Sequence, residues 1–572
     1  MIGLISATAA GAAGAARLAA VWPSRVRVYD GPVREAVERA FAECAQVVCF
    51  LATGATVRLV APLLADKASD PGVVCVDEAG RYAVALLGGH GGGANALARE
   101  VGAVLGSEPV VTTATDAVDV PGLDTLGLPV EGAVAAVTRA VLDGEPVALD
   151  LEVPCPLPAL PPNVRPSAPG AEATVLVTDR AVEPGDRTVV LRPASLVVGV
   201  GASKGAPVDE ITALVRDALA DAGLSPLSVG ALATVDAKAN EPGLVAAAAE
   251  LGVPLVTYPA DELAQVVVPN PSDAPLAAVG TPSVAEAAAL VGGGELLLPK
   301  RKSSPEGRAA MATCAVVRRA PRGRLAVVGL GPGARDLLTP RALAELRRAS
   351  VLVGLDQYVD QIRDLLRPGT RIIESGLGAE EERARTAVAE AGEGQAVALI
   401  GSGDAGVYAM ASPALAEASD AIDVVGVPGV TAALAAGAIL GAPLGHDHVS
   451  ISLSDLHTPW EVIERRVRAA AEADIVVTFY NPRSRGRDWQ LPKALAILAE
   501  HREPGTPVGV VRNASRADES ARLSTLGALD AATVDMMTVV TVGNTATREI
   551  AGRMVTPRGY RWQDTERTEA AR

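Results

Sequence analysis

Aromatic side chains are scarce in this 572-residue chain, with three Phe, four Trp and seven Tyr making up 2% of it. Large rings therefore cannot fill its cores. Ala, Val and Leu must build them within a hydrophobic fraction of 49%, which suits the alternating strands and Ala-rich helices of α/β domains. Cysteine is equally sparse. Cys44, Cys49, Cys75, Cys155 and Cys314 are odd in number and never spaced as CxxC, which excludes a disulfide framework and points to a reducing compartment, the cytoplasm. The five histidines and five cysteines never cluster with ligand spacing, so no metal site is expected. Cations are outnumbered, 51 Lys and Arg against 67 Asp and Glu, for a net charge of −16. That balance excludes the broad cationic surface a nucleic acid or an anionic membrane needs. An anionic small-molecule substrate must be met by local basic patches.

Long bulky apolar runs are missing as well. The N-terminal "MIGLISATAAGAAGAARLAA" has no cationic start and is broken by Arg17, so it reads as strand plus helix rather than a signal peptide. The run "GVPGVTAALAAGAILGAPLG" (426–445) approaches membrane-spanning length. It carries Pro428 and Pro443 and reads as strand, turn and helix of a soluble domain.

A chain this long exceeds one core, so three or four domains are expected. The Pro-rich "VPCPLPALPPNVRPSAPG" (153–170) reads as a linker or irregular surface segment, and "RRAPRGR" (318–324) marks a second boundary. The blocks 1–150, 195–318 and 323–560 remain, with an irregular middle. In each, strand, loop and helix alternate, as in "SLVVGVGASKGAPVDEITALVRDALADAG" (195–223). Ligand sites should therefore lie where loops leave the carboxyl ends of strands.

"AVVGLGPGARDLLT" (326–339) puts Gly329, Gly331 and Gly333 at alternate positions after a strand-like run. A dinucleotide fold needs GxGxxG opening straight into a helix. Here Pro332 removes a donor, and the next helix start is Thr339 as N-cap with Pro340 first in the helix. A pyrophosphate cradle is poorly supported; a tight loop holding no ligand is the plain alternative. Two further strand-end loops change the balance: "ALIGSGDAGVYAMASPALAEA" (398–418), with Ser402, Gly403, Asp404, Val407 and Tyr408, and "VVGVPGVTAALAAGAILGAPL" (424–444), with Thr431 and Ala432. Three small-residue loops suit a bulky ligand lying against backbone.

Together the loops resemble the tetrapyrrole methylase family, matching its GxGPGxxxLLT, GxGDPxxY and PGxTA patterns, with Ala405 where the family usually has Pro. The resemblance implies α/β architecture of several domains, the last a two-subdomain methylase fold. It implies S-adenosyl-L-methionine held by Gly331, Pro332, Gly333, Ser402, Gly403, Asp404, Val407, Tyr408, Thr431, Ala432 and Asn481, and a homodimer through the methylase domain. "SDLHTPW" (454–460), "FYNPRSRGR" (479–487) and "TPRGY" (556–560) are similar to the precorrin-3B C(17)-methyltransferases of cobalamin synthesis. They imply methyl transfer to carbon 17 of a tetrapyrrole with ring contraction. An activated sulfonium methyl chiefly needs orientation and desolvation. Arg483, Arg485, Arg487 and Arg512, with Arg516, are either cations for the substrate's carboxylates or a solvated basic loop. Asp404 either lines the cofactor pocket or assists a proton shift. His446 and His448, around Asp447, are either an acid/base pair at the substrate edge or structural.

Residues 50–116 resemble the CbiG family, cobalt-precorrin-5A hydrolases that open a lactone and release a two-carbon fragment. "GGHGGGAN" (88–95) stands where that family usually reads SGHxGGAN, so Gly88 or Gly89 takes the place of its serine. His90, flanked by glycines that permit close backbone approach, is a candidate catalytic residue or a structural one. Arg58, Lys67, Asp70 and Asp116 are polar groups of the same motifs. "GVGASKGAPVDEI", "LATVDAKANEPGL" and "AVGTPSVAEAAAL", with Lys204, Asp236, Lys238, Glu241 and Glu286, resemble the C-terminal part of CbiG and the related CobE proteins. The expected division is 1–124, CbiG N-terminal-like; 125–194, CbiG middle region and Pro-rich linker; 195–318, CbiG C-terminal or CobE-like; and 323–562, methylase. The expected protein is a cobalamin-pathway fusion. Its rivals are a cobalt-factor III enzyme with an active hydrolase half, a non-catalytic corrinoid-binding half, and an NAD oxidoreductase.

Overall fold

A computed structural model describes residues 1–559 apart from 67, 68, 167, 321 and 485. The chain forms two compact units, Met1–Pro321 with Arg367–Gly369, and Arg322–Leu366 with Thr370–Arg572.

The first unit holds three sheets. The first runs Val26–Val28, Ile2–Ser6, Gln46–Phe50, Gly72–Val76, Tyr82–Leu87 and Glu108–Val110 in spatial order. It is parallel except where Gly72–Val76 meets Tyr82–Leu87 across the turn at Gly80. Its runs "QVVCF" and "GVVCV" are apolar apart from Gln46 and almost wholly buried, as strands covered on both faces must be. In the third sheet Leu196–Ala202 is central, between Val229–Val235 on one side and Ala312–Arg318 on the other. Helix Val208–Asp221 covers it with Ile211, Leu214, Val215, Ala218 and Leu219, a stripe at three- and four-residue spacing.

The middle between blocks 1–150 and 195–318, expected to be irregular, instead joins the chain from residue 130 onward in a sheet of its own: Val130–Gly132, Thr188–Leu191, Ala173–Val177, Val147–Leu151 and Val164–Arg165. The prolines fall in the connections, where no ladder N–H is needed. The Pro-rich segment is irregular apart from the short strand Val164–Arg165, yet it buries Val153, Leu157 and Ala159 and contributes to this core. Composition marked the connection and hid the short Val-rich strands around it.

The second unit stacks five parallel strands in the order Arg371–Ser375, Val351–Leu355, Ala396–Gly401, Arg324–Gly329, Asp423–Val427. A second sheet runs His448–Ser452, Val476–Tyr480, Thr538–Val542, Pro507–Arg512, Ser520–Thr525 and is antiparallel after its first pair. Helix Pro340–Arg348 starts as expected, with Thr339 accepting a hydrogen bond from the Ala342 N–H. The small-residue run resolves into strand Asp423–Val427 and helix Ala432–Leu440. Among the described residues no helix is long and apolar enough to cross a membrane.

One buried ion pair fastens the second and third sheets of the first unit. Asp179 is fully buried and accepts from Arg318 Nε at 2.7 Å, Arg318 Nη2 at 2.8 Å and Ser195 Oγ at 2.8 Å. Burial opposes the carboxylate charge, but the hydrogen bonds from Arg318 and Ser195 together with the Arg318 charge hold Asp179 below its ordinary pKa. Arg318 is a quarter exposed and keeps Glu295 at 3.1 Å, so Asp179→Ala, which removes the buried acceptor, is expected to cost about 1–3 kcal/mol in urea unfolding near neutral pH. Because the folded pKa is depressed, the pair's contribution is complete above the unfolded value of about 4 and is lost as pH falls through the lower folded value. The wild-type advantage over the variant should vanish in acid.

Candidate functional site

Ala396–Gly401, Arg324–Gly329 and Asp423–Val427 are neighbours, so the three glycine-bearing loops leave adjacent carboxyl ends of one parallel sheet. They interlock through backbone. Gly331 N–H donates to Gly403 O at 3.0 Å, and Gly403 N–H returns a bond to Gly331 O at 2.8 Å. Both glycines have positive φ, +77° and +69°, in the left-handed region that side chains disfavour. A Cβ on Gly429, in the third loop, would stand 2.1 Å from Gly403 O. The N–H groups a pyrophosphate would need are turned toward neighbouring loops.

Asp404 completes the lock. Its Oδ1 accepts from Gly406 N–H at 2.8 Å and its Oδ2 from Gly429 N–H at 3.0 Å, so one carboxylate closes its own turn and ties the second loop to the third. Val407 N–H bonds Asp404 O at 3.1 Å. Ser402 meets the hydroxyl of Tyr358, whose pKa is raised by burial. Arg516 reaches the first loop from the far side of the second sheet's sequence, donating from Nε to Pro332 O at 3.0 Å, and its side chain fills the space a Cβ on Gly333 would take.

Two tyrosines join this edge to the second sheet. Tyr408, with φ +52°, donates to Ser450 O at 2.7 Å. Its ring lies 5.3 Å from that of Tyr480. Tyr480 Oη accepts from Ala433 N–H at 2.8 Å and lies 2.5 Å from Thr431 Oγ1, serving an orphan donor of helix Ala432–Leu440. Burial pushes its pKa up. Asn481, next along and also at positive φ, donates to Ser452 Oγ at 3.0 Å. Tyr480 was not singled out from sequence, although it adjoins Asn481 in "FYNP".

The arginines divide. Arg487 spends its guanidinium on Leu453 O at 2.9 Å and Asn481 O at 2.6 Å, and burial lowers its pKa; it fastens the turn. Arg483 donates to Ala532 O at 2.7 Å and borders a 540 Å³ cavity with Asp488, Leu495 and Asp530, away from the glycine loops. Arg512 pairs with Asp535 at 2.7 Å and Asp518 at 3.3 Å. Arg485 and Lys67 lie outside the described residues. His446 and His448 are exposed near the start of strand His448–Ser452, whereas Ser452 and Tyr480 meet at its end. About four residue steps, roughly 13 Å of strand, separate them. His446 Nδ1 accepts from Asp447 N–H at 2.7 Å.

In the first unit His90 sits between two carboxylates, Nε2 at 2.8 Å from Asp116 Oδ2 and Nδ1 at 3.3 Å from Asp124 Oδ1. The hydrogen bond to Asp124 raises its pKa; burial opposes this and Asp116 adds to it. Burial would raise Asp116, but His90, Thr113 and Arg99 bring it down to about 2. In the third sheet's loops, Glu241 accepts from Gly205 N–H at 2.6 Å and Lys238 Nζ at 3.0 Å. Glu286 is buried and already engaged by Asn270 and the Lys300 N–H. Among the described residues no group of His, Cys, Asp and Glu could hold a metal ion.

A parallel sheet whose neighbouring carboxyl ends carry interlocked loops, joined by a tyrosine pair to a second sheet, defines an α/β enzyme with its site at the strand ends. The chain belongs to the tetrapyrrole (corrin/porphyrin) methylase family, whose model matches residues 324–530. Models for the N-terminal and C-terminal parts of cobalamin synthesis G match residues 35–116 and 196–317. A probable cobalt-factor III C(17)-methyltransferase of Salmonella typhimurium is 46% identical over 239 residues, 41% of this chain and 99% of that protein. A precorrin-3B C(17)-methyltransferase of Sinorhizobium sp is 42% identical over 233 residues, 40% of this chain and 91% of that one. The chain spans about half the length of some longer relatives, such as 45% of the cobalt-factor III methyltransferase of Priestia megaterium. The crystal structure of the methyltransferase CobJ is 40% identical over 41% of this chain and 100% of that one, with TM-score 0.40.

Gly429→Ala tests the lock. Its methyl group would collide with backbone that cannot rotate away, so a loss of about 1–3 kcal/mol in urea unfolding is expected. Gly505→Ala is the comparison. Neither glycine has positive φ, and Gly505 meets nothing within 4 Å, so it should cost less.

Proposed function

We propose that this protein transfers a methyl group from S-adenosylmethionine to carbon 17 of a precorrin-3B-type tetrapyrrole, with ring contraction, in cobalamin biosynthesis, on a chain that also carries a CbiG-like half. We assign residues 1–124, 125–194 and 195–318 to that half and 323–562 to the methylase. The observation that carries the reading is the Cβ-free crossing of Gly331, Gly403 and Gly429 fastened by Asp404. It presents backbone and two tyrosines to a ligand. The residues fit an adenosyl sulfonium: a flat heterocycle and a small cation can lie against glycine backbone, and the rings of Tyr408 and Tyr480 offer π-faces to the cation.

When bound, the sulfonium supplies an activated methyl group. The chain's own residues orient and desolvate. Asp404 fixes the spacing of the second and third loops. Tyr480 and Thr431 order the helix start beside them, and Arg516 holds the first loop. Orientation of this kind supplies most of the rate where no proton transfer is needed at the methyl group. Asp404 is therefore a positioning residue. Arg483 and Arg512 keep exposed faces toward which a polycarboxylate can be drawn, while Arg487 keeps the turn between them in place.

The test is mass spectrometry of corrinoids after incubation with methyl-labelled S-adenosylmethionine, using metal-free precorrin-3B and cobalt-loaded factor III in parallel. One labelled methyl group on a ring-contracted product supports the reading, and the better substrate fixes the metal state. Label transfer to neither overturns it. Asp404→Ala should weaken S-adenosylmethionine binding by about tenfold or more in calorimetry, about 1.4 kcal/mol, because the loops it ties lose their spacing.

A further inference from the structure

The turn "NASRADE" (513–519) joins the antiparallel strands Pro507–Arg512 and Ser520–Thr525. Two of its residues carry side chains at positive φ, Asn513 at +50° and Ser515 at +63°. Asparagine tolerates that region, whereas serine is strained there. Neighbouring groups hold the strain in place. Glu519 Oε2 accepts from the Ser515 N–H at 2.6 Å, Asp518 Oδ2 accepts from Asn513 Nδ2 at 2.6 Å, and the Asn513 N–H donates to Met537 O at 2.9 Å. Asn513 is buried, and its Oδ1 has no partner among the described residues. The Arg516 N–H closes the turn on Asn513 O at 2.9 Å. Backbone strain and an unpartnered buried oxygen in one turn are costs that a plain hairpin avoids. What they fix is the place of Arg516.

Arg516 lies across the first glycine loop. A Cβ on Gly333 would stand 2.7 Å from Arg516 Cγ and 3.0 Å from its Nε, so the arginine lies where only a glycine leaves room. Nε donates to Pro332 O at 3.0 Å, the one hydrogen bond of this side chain among the described residues. Its charge also reaches Tyr358, where it and a hydrogen bond with Ser402 work against the burial that raises the phenol's pKa. The guanidinium therefore sits beside both the first loop and the second. An arginine carries five N–H donors in a planar fork, so the two terminal nitrogens remain unspent. Arg512, at the start of the same turn, is neutralised by Asp535 and Asp518. Arg516 has no such carboxylate among the described residues, although it is half-buried. A half-buried cation without a counter-charge is poised for an anion.

We propose that the terminal nitrogens of Arg516 bind a ligand carboxylate at the glycine loops and so set where the charged end of that ligand lies. This rests on the methyltransferase reading above. Both ligands of that reading carry the chemistry: the methionine end of S-adenosylmethionine and the acid side chains of the tetrapyrrole. A planar fork grips a carboxylate through two parallel N–H···O bonds, which fix direction as well as place. The Nε bond to Pro332 O keeps the fork from turning. A transfer governed by orientation gains from an anchor of this kind.

The experiment uses the full chain. Calorimetry measures S-adenosylmethionine and its decarboxylated analogue against wild type and Arg516→Gln, and methyl-transfer kinetics give KM and kcat for precorrin-3B and cobalt-loaded factor III. Losing a charge-assisted pair should weaken the ligand that made it by about 10- to 100-fold. With the methionine carboxylate as partner, Arg516→Gln weakens S-adenosylmethionine and leaves the decarboxylated analogue unchanged. With a tetrapyrrole carboxylate as partner, KM for the tetrapyrrole rises by that factor while kcat and the affinity for S-adenosylmethionine hold. Arg516→Lys, which keeps the charge and loses the fork, should show the same pattern at smaller amplitude, and circular dichroism reports whether each variant is folded. Folded variants that weaken both adenosyl ligands equally, or no ligand at all, would overturn the assignment, because the residue then only holds the loop; methyl transfer by the wild type keeps the methyltransferase reading standing. A wild-type chain that transfers no methyl group to either tetrapyrrole would overturn both.

Discussion

Backbone-on-backbone approach at the crossing of Gly331, Gly403 and Gly429 is the constraint on which the methylase half depends. Two reciprocal hydrogen bonds hold the first loop to the second. The third comes so near that a single carbon on Gly429 would sit 2.1 Å from a carbonyl oxygen. Positive φ at Gly331 and Gly403 sets the chain directions that make the crossing possible. Asp404 is the one charged group in the knot, and it is occupied by two N–H groups from different loops. Both of its carboxylate oxygens are spent on holding loops.

The rest of the unit is arranged around that edge. Tyr408 and Tyr480 concentrate at the junction of the two sheets in a chain almost without rings, while the cores themselves are aliphatic. Each of these tyrosines pairs ring contact with a hydrogen bond to backbone, the combination of apolar body and polar tip that suits a half-buried boundary. Arg516 adds a cross-link from the second sheet's loops to Pro332. The site is thus held from both sheets, which is what a reaction governed by orientation requires.

The two halves arrange their polar groups differently. The methylase edge is nearly free of titratable machinery and relies on fixed backbone. The His90 centre relies on a titratable ring between carboxylates, one of them immobilised by three donors. Glycines serve both. In the methylase they let loops touch, and at His90 Gly122 lies so near the ring that a Cβ would stand 2.4 Å from Nδ1.

The sequence by itself determined the α/β class, the order of strand, loop and helix, the Thr339 cap and the glycine loops at strand ends. These are written in local patterns: apolar runs, helical periodicity, a capping residue, glycine where no Cβ fits. The tertiary structure alone decided what each polar side chain spends itself on. Arg487 was legible as a cation in a basic loop, but only the fold brings it to Leu453 O and Asn481 O. His446 and His448 were legible as a pair, but only the strand's direction sets them near its start while Tyr480 stands at the other end. The sheet within residues 130–191 was hidden because strands of two to five residues gain their stability from neighbours rather than from their own sequence. Partner choice depends on contacts between residues far apart in the chain, and no local pattern encodes those.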